Sequence, residues 1–496
     1  MADYTSPQWA NYNTVNKVSA STFPNTPYIS PAPGKIPLVA VNPVPADVFL
    51  FLDEESQIYA DTLLKAMKYA LESGCNALSF GGSIVQTKAM LDAVSDLNLK
   101  SAPGVLVNSP LLSASTEDCL NLIGEVRYNP LVKGWFIMDR PNYWDWGNVK
   151  PGLNTDMIYN RLTLGYRIAL KYELYETPVE DDGITTQMAM FNLAGSDNPD
   201  ILGRCNDYDE YLTVINKLFV PPLWSLSHYP FSIPDRDLIS LSDIKTDTVS
   251  FYSYLRKFRN TSYQREKRFW FTCQIGSFRI IDTSSDITVF RFPNLELSMM
   301  RFEAFSALTY GAQGILFSDM GLQSISLSGS NKKEPLTSLI HYDLKRGIWI
   351  DESLMGALKT VCREISECTQ VFLDSECVEI GHVGQTYGQV SDNIIFPFGC
   401  ISAIQYSGDG VLAAILKRDN RHFMVMVNHQ PLSPQNLIIT LNSKYKYPWS
   451  YLSGSHTTEE SKITDISESI DSSLNVPATP IRFTLPAGGM VIFEWS

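Results

Sequence analysis

The sequence predicts an α/β protein in which a (β/α)8 TIM barrel is followed by an all-β sandwich domain. The first observation is that, from about residue 46, short β-branched or aromatic runs alternate with longer segments carrying apolar residues at helical spacing. The second is that, after about residue 370, apolar and polar residues alternate between turns. With 496 residues, of which 44% are apolar and 19% charged, the chain can bury the cores of both domains.

Eight strand-and-helix units follow one another along the first part of the chain. The predicted strands are DVFLFLD, NALSFGG, PGVLVN, GWFIMD, QMAMFNL, LWSLSHYPF, RFWFTCQIG and GILFSD. Parallel strands need crossover connections, and eight such units close a filled barrel. The helices after the third and fourth strands are predicted over residues 116–126 and around residues 162–170. An open doubly wound sheet would carry a glycine-rich phosphate loop after the first strand, and none follows Leu52.

The FGGS stretch after the second strand, Phe80 to Ser83, has two interpretations. The helix N-terminus that it opens could receive an anion. Two adjacent glycines and a capping serine are also typical of a tight turn between a strand and a helix, which is the commoner arrangement.

Three segments make up the predicted domain organisation. Residues 1–44 are rich in Pro, Ser, Thr and Asn and are predicted to be an extended N-terminal arm laid on the barrel or on a neighbouring molecule. The barrel is predicted over residues 45–369 and the β-sandwich over residues 370–496. In the latter, GVLAAILKRDNRHFMVMVNHQ predicts two strands around a hairpin at residues 418–421.

Charge and hydropathy argue against several partners. The net charge of −14 repels nucleic acid and anionic lipid surfaces. Apolar runs such as VFLFL are much shorter than the roughly 20 residues that cross a bilayer, so no membrane insertion is expected. The N-terminal residues show no basic start followed by an apolar core, so no signal peptide is predicted. The sequence leaves the location open, with cell-surface, extracellular and particle-associated sites all compatible.

Cysteine and histidine spacing gives no support for a metal or cofactor. The eight cysteines form no C-x-x-C pair, and the six histidines show no H-E-x-x-H spacing. Most of the cysteines are predicted to be small buried residues. A calcium site built from carboxylate and carbonyl oxygens stays open.

Several segments together resemble a known group of proteins. These are GWFIMDRPN after strand four, SHYPF after strand six, FWF with Gln274 on strand seven, and MRFEAFSALTYGAQGILFSD entering strand eight. Over residues 45–496 the chain is similar to bacterial glycoside-hydrolase-like barrels with a C-terminal β-sandwich, related to the beta-galactosidase and clan A retaining hydrolases. The most specific segment is FSALTYGAQGI, which indicates the fold more than the chemistry.

The resemblance also shows where this chain departs from the catalytic pattern. In those families the acid is the glutamate of an N-E-P or D-E-P motif after strand four, and the nucleophile is a glutamate after strand seven. Asp139 and Pro141 match the outer letters, but Arg140 stands at the position of the acid. A guanidinium stays charged and cannot donate a proton as a carboxylic acid does. Strand seven offers Gln274, which is a poor nucleophile.

Substitute carboxylates lie at other predicted strand ends. The candidates are Asp53 and Glu54 after strand one, Asp139 after strand four and Asp319 after strand eight. Asp139 and Asp319 could act as an acid and base pair if their surroundings separated their pKa values. Each could instead serve the structure, Asp139 by pairing with Arg140 and Asp319 by holding the last loop. Glu303 on the preceding helix is expected to be solvated or ion-paired.

Sugar binding needs only apolar ring faces beside hydrogen-bonding groups. The predicted ligand-binding residues at the barrel mouth are Arg140, Asn142, Tyr143, Trp144, Trp146, Asn192, His228, Tyr229 and Gln274. Trp135 and Trp270 lie within strands and are predicted to be core residues.

Three functions remain open, and whether the chain is an enzyme is therefore uncertain. The first is a carbohydrate-binding protein on a barrel that lacks the usual acid, with an oligosaccharide or glycan as ligand. The second is an active glycoside hydrolase that uses relocated carboxylates. The third is a structural or adhesive component of a cell surface or larger particle, assembled as an oligomer through the N-terminal arm.

Overall fold

The computed structural model describes most of the barrel and of the C-terminal domain. The described residues are 30–108, 121–122, 124–139, 188–197, 202, 205–219, 223–233, 244–264, 268–282, 285, 287–321, 325–326, 331–384, 393–399, 401–441, 450–452, 470–471, 476–477 and 481–495. The helix predicted around residues 162–170 and much of that predicted over 116–126 lie outside these ranges.

Eight parallel strands close into a barrel, as the sequence predicts. They are β1 (Leu38–Val41), β2 (Ala77–Phe80), β3 (Gly104–Asn108), β4 (Val132–Asp139), β5 (Met188–Ala194), β6 (Leu223–Ser227), β7 (Arg268–Gln274) and β8 (Ile315–Ser318). Neighbours in the chain are neighbours in the barrel. It closes where Leu38 of β1 pairs with Ile315 of β8.

The first barrel strand does not lie where the sequence predicts it. The DVFLFLD segment is not a strand: it lies largely in helix α1 (Ala46–Phe51) at the rim of the barrel, with the Leu50 side chain 72% exposed. The strand is LVAV, four residues that are all buried. A short apolar run has no periodicity that separates a strand from a helix, so the longer run in DVFLFLD was predicted as the strand in place of LVAV. Strand β1 therefore lies inside the range predicted as the N-terminal arm.

Side chains from all eight strands fill the barrel. The inner cluster contains Val39, Val41, Ala77, Leu106, Phe136, Met190, Leu223, Trp270 and Leu316. Trp270 is fully buried there, and Trp135 is buried in the main hydrophobic core, as predicted. A Cβ on Gly314 would lie 2.7 Å from the Trp270 ring, so the residue before β8 must be small.

Helices surround the barrel, and several of them begin with a side-chain cap. After α1 they are α2 (Gln57–Glu72), α3 (Ile84–Asp96), α4 (Tyr208–Phe219), α5 (Thr248–Gln264), α6 (Leu297–Thr309), α7 (Glu352–Glu367) and α8 (Thr369–Phe372). The FGGS stretch forms the expected tight turn, in which Ser83 and Gln86 make a reciprocal capping box at the start of α3. The Asp351 side chain caps α7 by accepting from two backbone amides.

Helix α6 is buried along almost its whole length. It packs against β7 on one side and against the C-terminal domain on another, which explains why its sequence, LSMMRFEAFSALT, has apolar residues on every side. Its Arg301 forms a two-point ion pair with Glu364 of α7, at 2.9 Å from Nε and 2.6 Å from Nη2.

Antiparallel insertions extend the loops after the last barrel strands. Four segments form a sheet in the order Ile287–Phe292, Phe278–Asp282, Asn331–Pro335 and Ile325–Ser326. Two further hairpins pair Ile340–Asp343 with Gly347–Ile350 and Phe231–Ser232 with Lys245–Thr246.

The C-terminal domain is a sandwich of two antiparallel sheets. Its strands are β9 (Glu376–Gly384), β10 (Ile401–Tyr406), β11 (Gly410–Arg418), β12 (Arg421–Asn428), β13 (Gln435–Leu441), β14 (Ser450–Leu452), β15 (Ile481–Leu485) and β16 (Met490–Trp495). One sheet has the order β9-β11-β12-β16-β14 and the other β10-β13-β15, and a two-stranded piece pairs Ile470–Asp471 with Val476–Pro477. The hairpin at residues 418–421 is confirmed.

A buried chain of tyrosine and histidine side chains, which we call the histidine relay, joins the barrel to this sandwich. The hydroxyl of Tyr310, just after α6, lies 3.2 Å from His382 Nε2, and His382 Nδ1 lies 2.9 Å from His429 Nε2. The ring of Tyr252 on α5 packs edge-on against His382. Both histidines are buried, at 2% and 1% exposure.

Candidate functional site

The carboxyl ends of β1, β2, β3 and β8 carry one continuous chain of hydrogen bonds. Asn42, directly after β1, donates from Nδ2 to Asp319 Oδ1 at 3.0 Å. Asn108 at the end of β3 donates to Asn42 Oδ1 at 3.0 Å and accepts the Ser79 hydroxyl at 2.7 Å. Ser318 also donates to Asp319 Oδ1. We call Ser79, Asn108, Asn42, Asp319 and Ser318 the closure group, because they span the seam where the barrel closes.

Local backbone requirements position this group. Asn42 has a positive φ of 49°, a conformation that asparagine adopts more readily than most residues. A Cβ on Gly81 would lie 2.4 Å from the Asn108 carbonyl oxygen, so glycine lets the end of β2 approach β3 closely. The side chains of Asn42, Asn108 and Asp319 are only partly buried, so a ligand in the mouth can reach them.

A second polar group lies across the barrel at the upper ends of β5, β6 and β7. Thr272 donates its hydroxyl to Asn192 Oδ1 at 3.1 Å and lies 3.0 Å from the Ser225 hydroxyl. All three side chains are buried, with Asn192 at 3% exposure. Asn192, Ser225 and Thr272 thus form a neutral hydrogen-bonded layer, which we call the opposite group. It contains Asn192, one of the predicted ligand-binding residues.

Strand β4 ends beside the opposite group. The pairing between β4 and β5 shifts register between Phe136 and Met138, and it aligns the backbone of Asp139 with that of Asn192. This is a β-bulge, which re-aims the residues beyond it. The side chain of Asp139 lies outside the described part of the structure, as do Arg140, Asn142, Tyr143, Trp144 and Trp146.

Gln274 is enclosed at the end of β7. Its side chain is 1% exposed, and its amide nitrogen donates to the carbonyl oxygens of Gly276 and Pro293, at 2.8 Å and 2.5 Å. These bonds hold the chain between β7 and α6. The Gln274 side chain is thus committed to the backbone around it.

His228 and Tyr229 follow β6 and pack against neighbouring elements. His228 Nδ1 lies 2.6 Å from the Gly195 carbonyl oxygen, so Nδ1 carries the proton, and its ring stacks on Phe251. Burial lowers the pKa of His228, which favours the neutral ring. The Tyr229 ring meets Phe278 and Phe292 of the inserted sheet edge-on.

Glu303 is the polar residue that the sequence reading placed wrongly. It is fully buried rather than solvated, and its Oε2 accepts the backbone amide of Gln274 at 3.1 Å. Burial raises the pKa of the Glu303 carboxyl well above its usual range, which favours its neutral form. The signal that could have shown its burial is the apolar character of α6 on every side.

Asp53 and Glu54 do not follow a barrel strand. Both are exposed in the loop between α1 and α2, where Asp53 accepts the backbone amide of Glu55 and Glu54 accepts from Gln86. They lie outside the closure group, in which Asp319 is the one carboxylate.

Of the two groups, the closure group is the one that is accessible for hydrogen bonding to an uncharged ligand, since the opposite group is buried. Amides and hydroxyls can both donate and accept, as sugar hydroxyls require. Within the described ranges, no cluster of three or more His, Cys, Asp or Glu side chains is arranged to hold a metal ion. The described helices are each too short or too polar to cross a membrane.

The similarity of this chain to known proteins is structural. No protein-family model matches this chain, and no curated protein matches it. It is similar to an alpha-amylase from Geobacillus thermoleovorans complexed with acarbose, at 11% identity over 93% of this chain and 98% of that chain, with a TM-score of 0.44. It is also similar to a Paenibacillus cycloisomaltooligosaccharide glucanotransferase, at 8% identity over 92% of this chain and 84% of that chain, with a TM-score of 0.47.

A third similar structure is a beta-galactosidase from Marinomonas, at 11% identity over 68% of this chain, with a TM-score of 0.41. This chain spans about three fifths of the length of that enzyme, 61%. With such identities and TM-scores below 0.5, these likenesses carry no argument about what this chain does, and the fold of this chain rests on its own strands. The closed eight-stranded barrel followed by antiparallel sheets itself establishes a TIM barrel with a β-sandwich domain.

Proposed function

We propose that this chain binds a neutral oligosaccharide at the carboxyl ends of its barrel strands and does not cleave it. The observation that carries the proposal is the closure group, in which Asn42, Asn108 and Asp319 present partly accessible amide and carboxylate groups at the barrel mouth. Active sites of TIM barrels lie at this face. The predicted aromatic residues Tyr143, Trp144 and Trp146 would supply ring faces for sugar stacking.

Two features support binding without turnover. A glycosidase needs two carboxyl groups about 5 to 9.5 Å apart, one of them able to donate a proton. Arg140 stands where the families that the chain resembles carry that acid. In the closure group, Asp319 Oδ1 already accepts from Asn42 and Ser318, which supports a structural role for this carboxylate.

The experiment is a screen with two readouts. The pure protein is incubated with a broad panel of labelled oligosaccharides; binding is measured by fluorescence anisotropy, and shortened products are sought by mass spectrometry. The proposal predicts saturable binding of at least one glycan with no shortened product. Binding that survives unchanged in Asn108→Ala would place the ligand elsewhere.

Hydrolysis by relocated carboxylates is the second candidate function. The β4 and β5 register favours it, since the backbone of Asp139 lies level with Asn192 in the mouth. It predicts shortened products that disappear in both Asp139→Asn and Asp319→Asn. A panel that shows neither binding nor products would leave the structural or adhesive role.

A further inference from the structure

An open pocket of about 650 Å³ lies at the end of the barrel opposite the closure group. Three segments that are distant in the sequence bring cations to it: Lys35 before β1, Arg268 at the start of β7 and Arg418 at the end of β11. We propose that this pocket binds a small polyvalent anion through phosphate or carboxylate oxygens. It is separate from the sugar site.

The charges in the pocket do not cancel. Arg268 is ion-paired with Asp374 at 2.6 Å, so these two neutralise each other. The other carboxylate is Glu367, which is exposed and lies 3.9 Å from Arg363 on its own helix. Lys35 has no ion-pair partner within the part of the chain that the structure describes.

Arg418 is only partly used. Its Nη1 donates to the Gln370 carbonyl oxygen at 3.3 Å, a neutral acceptor, and it forms no ion pair with the residues that the structure describes. This bond also orients the guanidinium at the junction of the barrel and the sandwich. A planar guanidinium presents paired donors that match phosphate and carboxylate oxygens.

This excess of positive charge is unusual in so acidic a chain. The whole chain carries a net charge of −14, yet this pocket has three cations against two carboxylates. Holding Lys35 and Arg418 around one pocket costs repulsion, which a bound oxyanion would offset. The pocket volume lies within the range of small-molecule sites, about 300 to 1,000 Å³.

The test titrates the full chain with two probes, inorganic pyrophosphate and citrate, by isothermal titration calorimetry at low ionic strength. We expect saturable binding of at least one probe, weakened about tenfold or more by Arg418→Ala and by Lys35→Ala. Lys359→Ala removes an exposed lysine of α7 outside the pocket and should leave the affinity unchanged. Tighter binding of pyrophosphate would assign a phosphate ligand, and tighter binding of citrate a carboxylate ligand.

One further variant is expected to strengthen anion binding instead of weakening it. Asp374→Asn releases Arg268 from its ion pair, and asparagine tolerates the positive φ of 59° at this position. It should tighten binding several-fold. The proposal is overturned if neither probe binds below about 10 mM. It is also overturned if Arg418→Ala, Lys35→Ala and Asp374→Asn all bind as the parent does.

Discussion

Asn42 and Asp319 are 277 positions apart in the sequence, yet the Asn42 amide donates to the Asp319 carboxylate at 3.0 Å where the first and last barrel strands meet. The bond couples the closing seam of the barrel to the proposed ligand site. A change in either residue should therefore affect both stability and binding.

Replacing the amide by a carboxylate tests this seam. Asn42→Asp keeps the side-chain shape and tolerates the positive φ, but it removes the donor and sets two carboxylates against each other. We expect a loss of about 1 to 3 kcal/mol in the free energy of unfolding at pH 7, measured in urea. The loss should shrink as the carboxylates are protonated near pH 4.

Asn98→Asp is the matched control, because Asn98 is exposed and has a similar φ of 50°. Its effect should stay within about 0.5 kcal/mol. Equal effects at positions 42 and 98 would contradict the role given to the closure group.

The buried histidine relay predicts a loss of stability in mild acid. Burial and the adjacent His382 ring hold the pKa of His429 well below its usual range, so the folded state keeps this ring neutral. The unfolded chain takes up a proton below about pH 6.5, which favours unfolding. Stability from this site is therefore complete above that pH and falls, by at most about 1.4 kcal/mol per pH unit, as the pH decreases.

The measurement is the free energy of unfolding between pH 5 and pH 8 for the parent and for His429→Gln. The variant should show a shallower fall in stability, because it lacks the His429 ring. Some fall should persist, because burial also lowers the pKa of His228 and His341 and these residues remain. Parallel curves for the two proteins would remove His429 from the explanation.

The buried ion pair of Arg301 and Glu364 should be costly to break from one side. Glu364→Gln leaves the guanidinium buried without its counter-charge, and we expect a loss of about 3 to 5 kcal/mol. Glu72→Gln, at the exposed pair of Lys68 and Glu72, should cost less than about 1 kcal/mol. Chemical denaturation of both variants checks the contrast, and a small effect at Glu364 would mean that the pair is dispensable.

Glu303 predicts the opposite pH trend to the histidines. Because its folded pKa is raised, the stability that it supplies is present below about pH 4.5 and decreases as the pH rises above that value. Glu303→Gln keeps an oxygen to accept the Gln274 amide without the ionisation cost. We expect a melting temperature at pH 7 equal to or above that of the parent, whereas a marked decrease would show that the carboxyl itself is needed.

Local sequence patterns predicted most of the barrel because its strands and helices differ in period and each is bounded by turns. Strand β1 was not predicted, because LVAV is only four residues long and the longer apolar run in DVFLFLD follows it closely. The inserted sheet beginning at Phe278 was missed because its strands interrupt the repeat instead of extending it.

The polar site was harder to predict than the fold. Asp319 directly follows β8, whereas Asn192 lies within β5, two residues before its end. Asn42 and Asn108 were missed, because their importance lies in contacts across the barrel that only the closed structure defines. The burial of Glu303 likewise depends on the packing of α6 against β7, where its carboxyl accepts the Gln274 amide.

The central claim is that the closure group binds a glycan. The most direct measurement is a calorimetric titration of the best panel glycan into the parent, Asn108→Ala and the control Asn260→Ala, which changes an exposed asparagine on α5. With folding verified by thermal unfolding, we predict an affinity at least about tenfold weaker in Asn108→Ala and unchanged in Asn260→Ala. Equal affinities in all three proteins would contradict the claim.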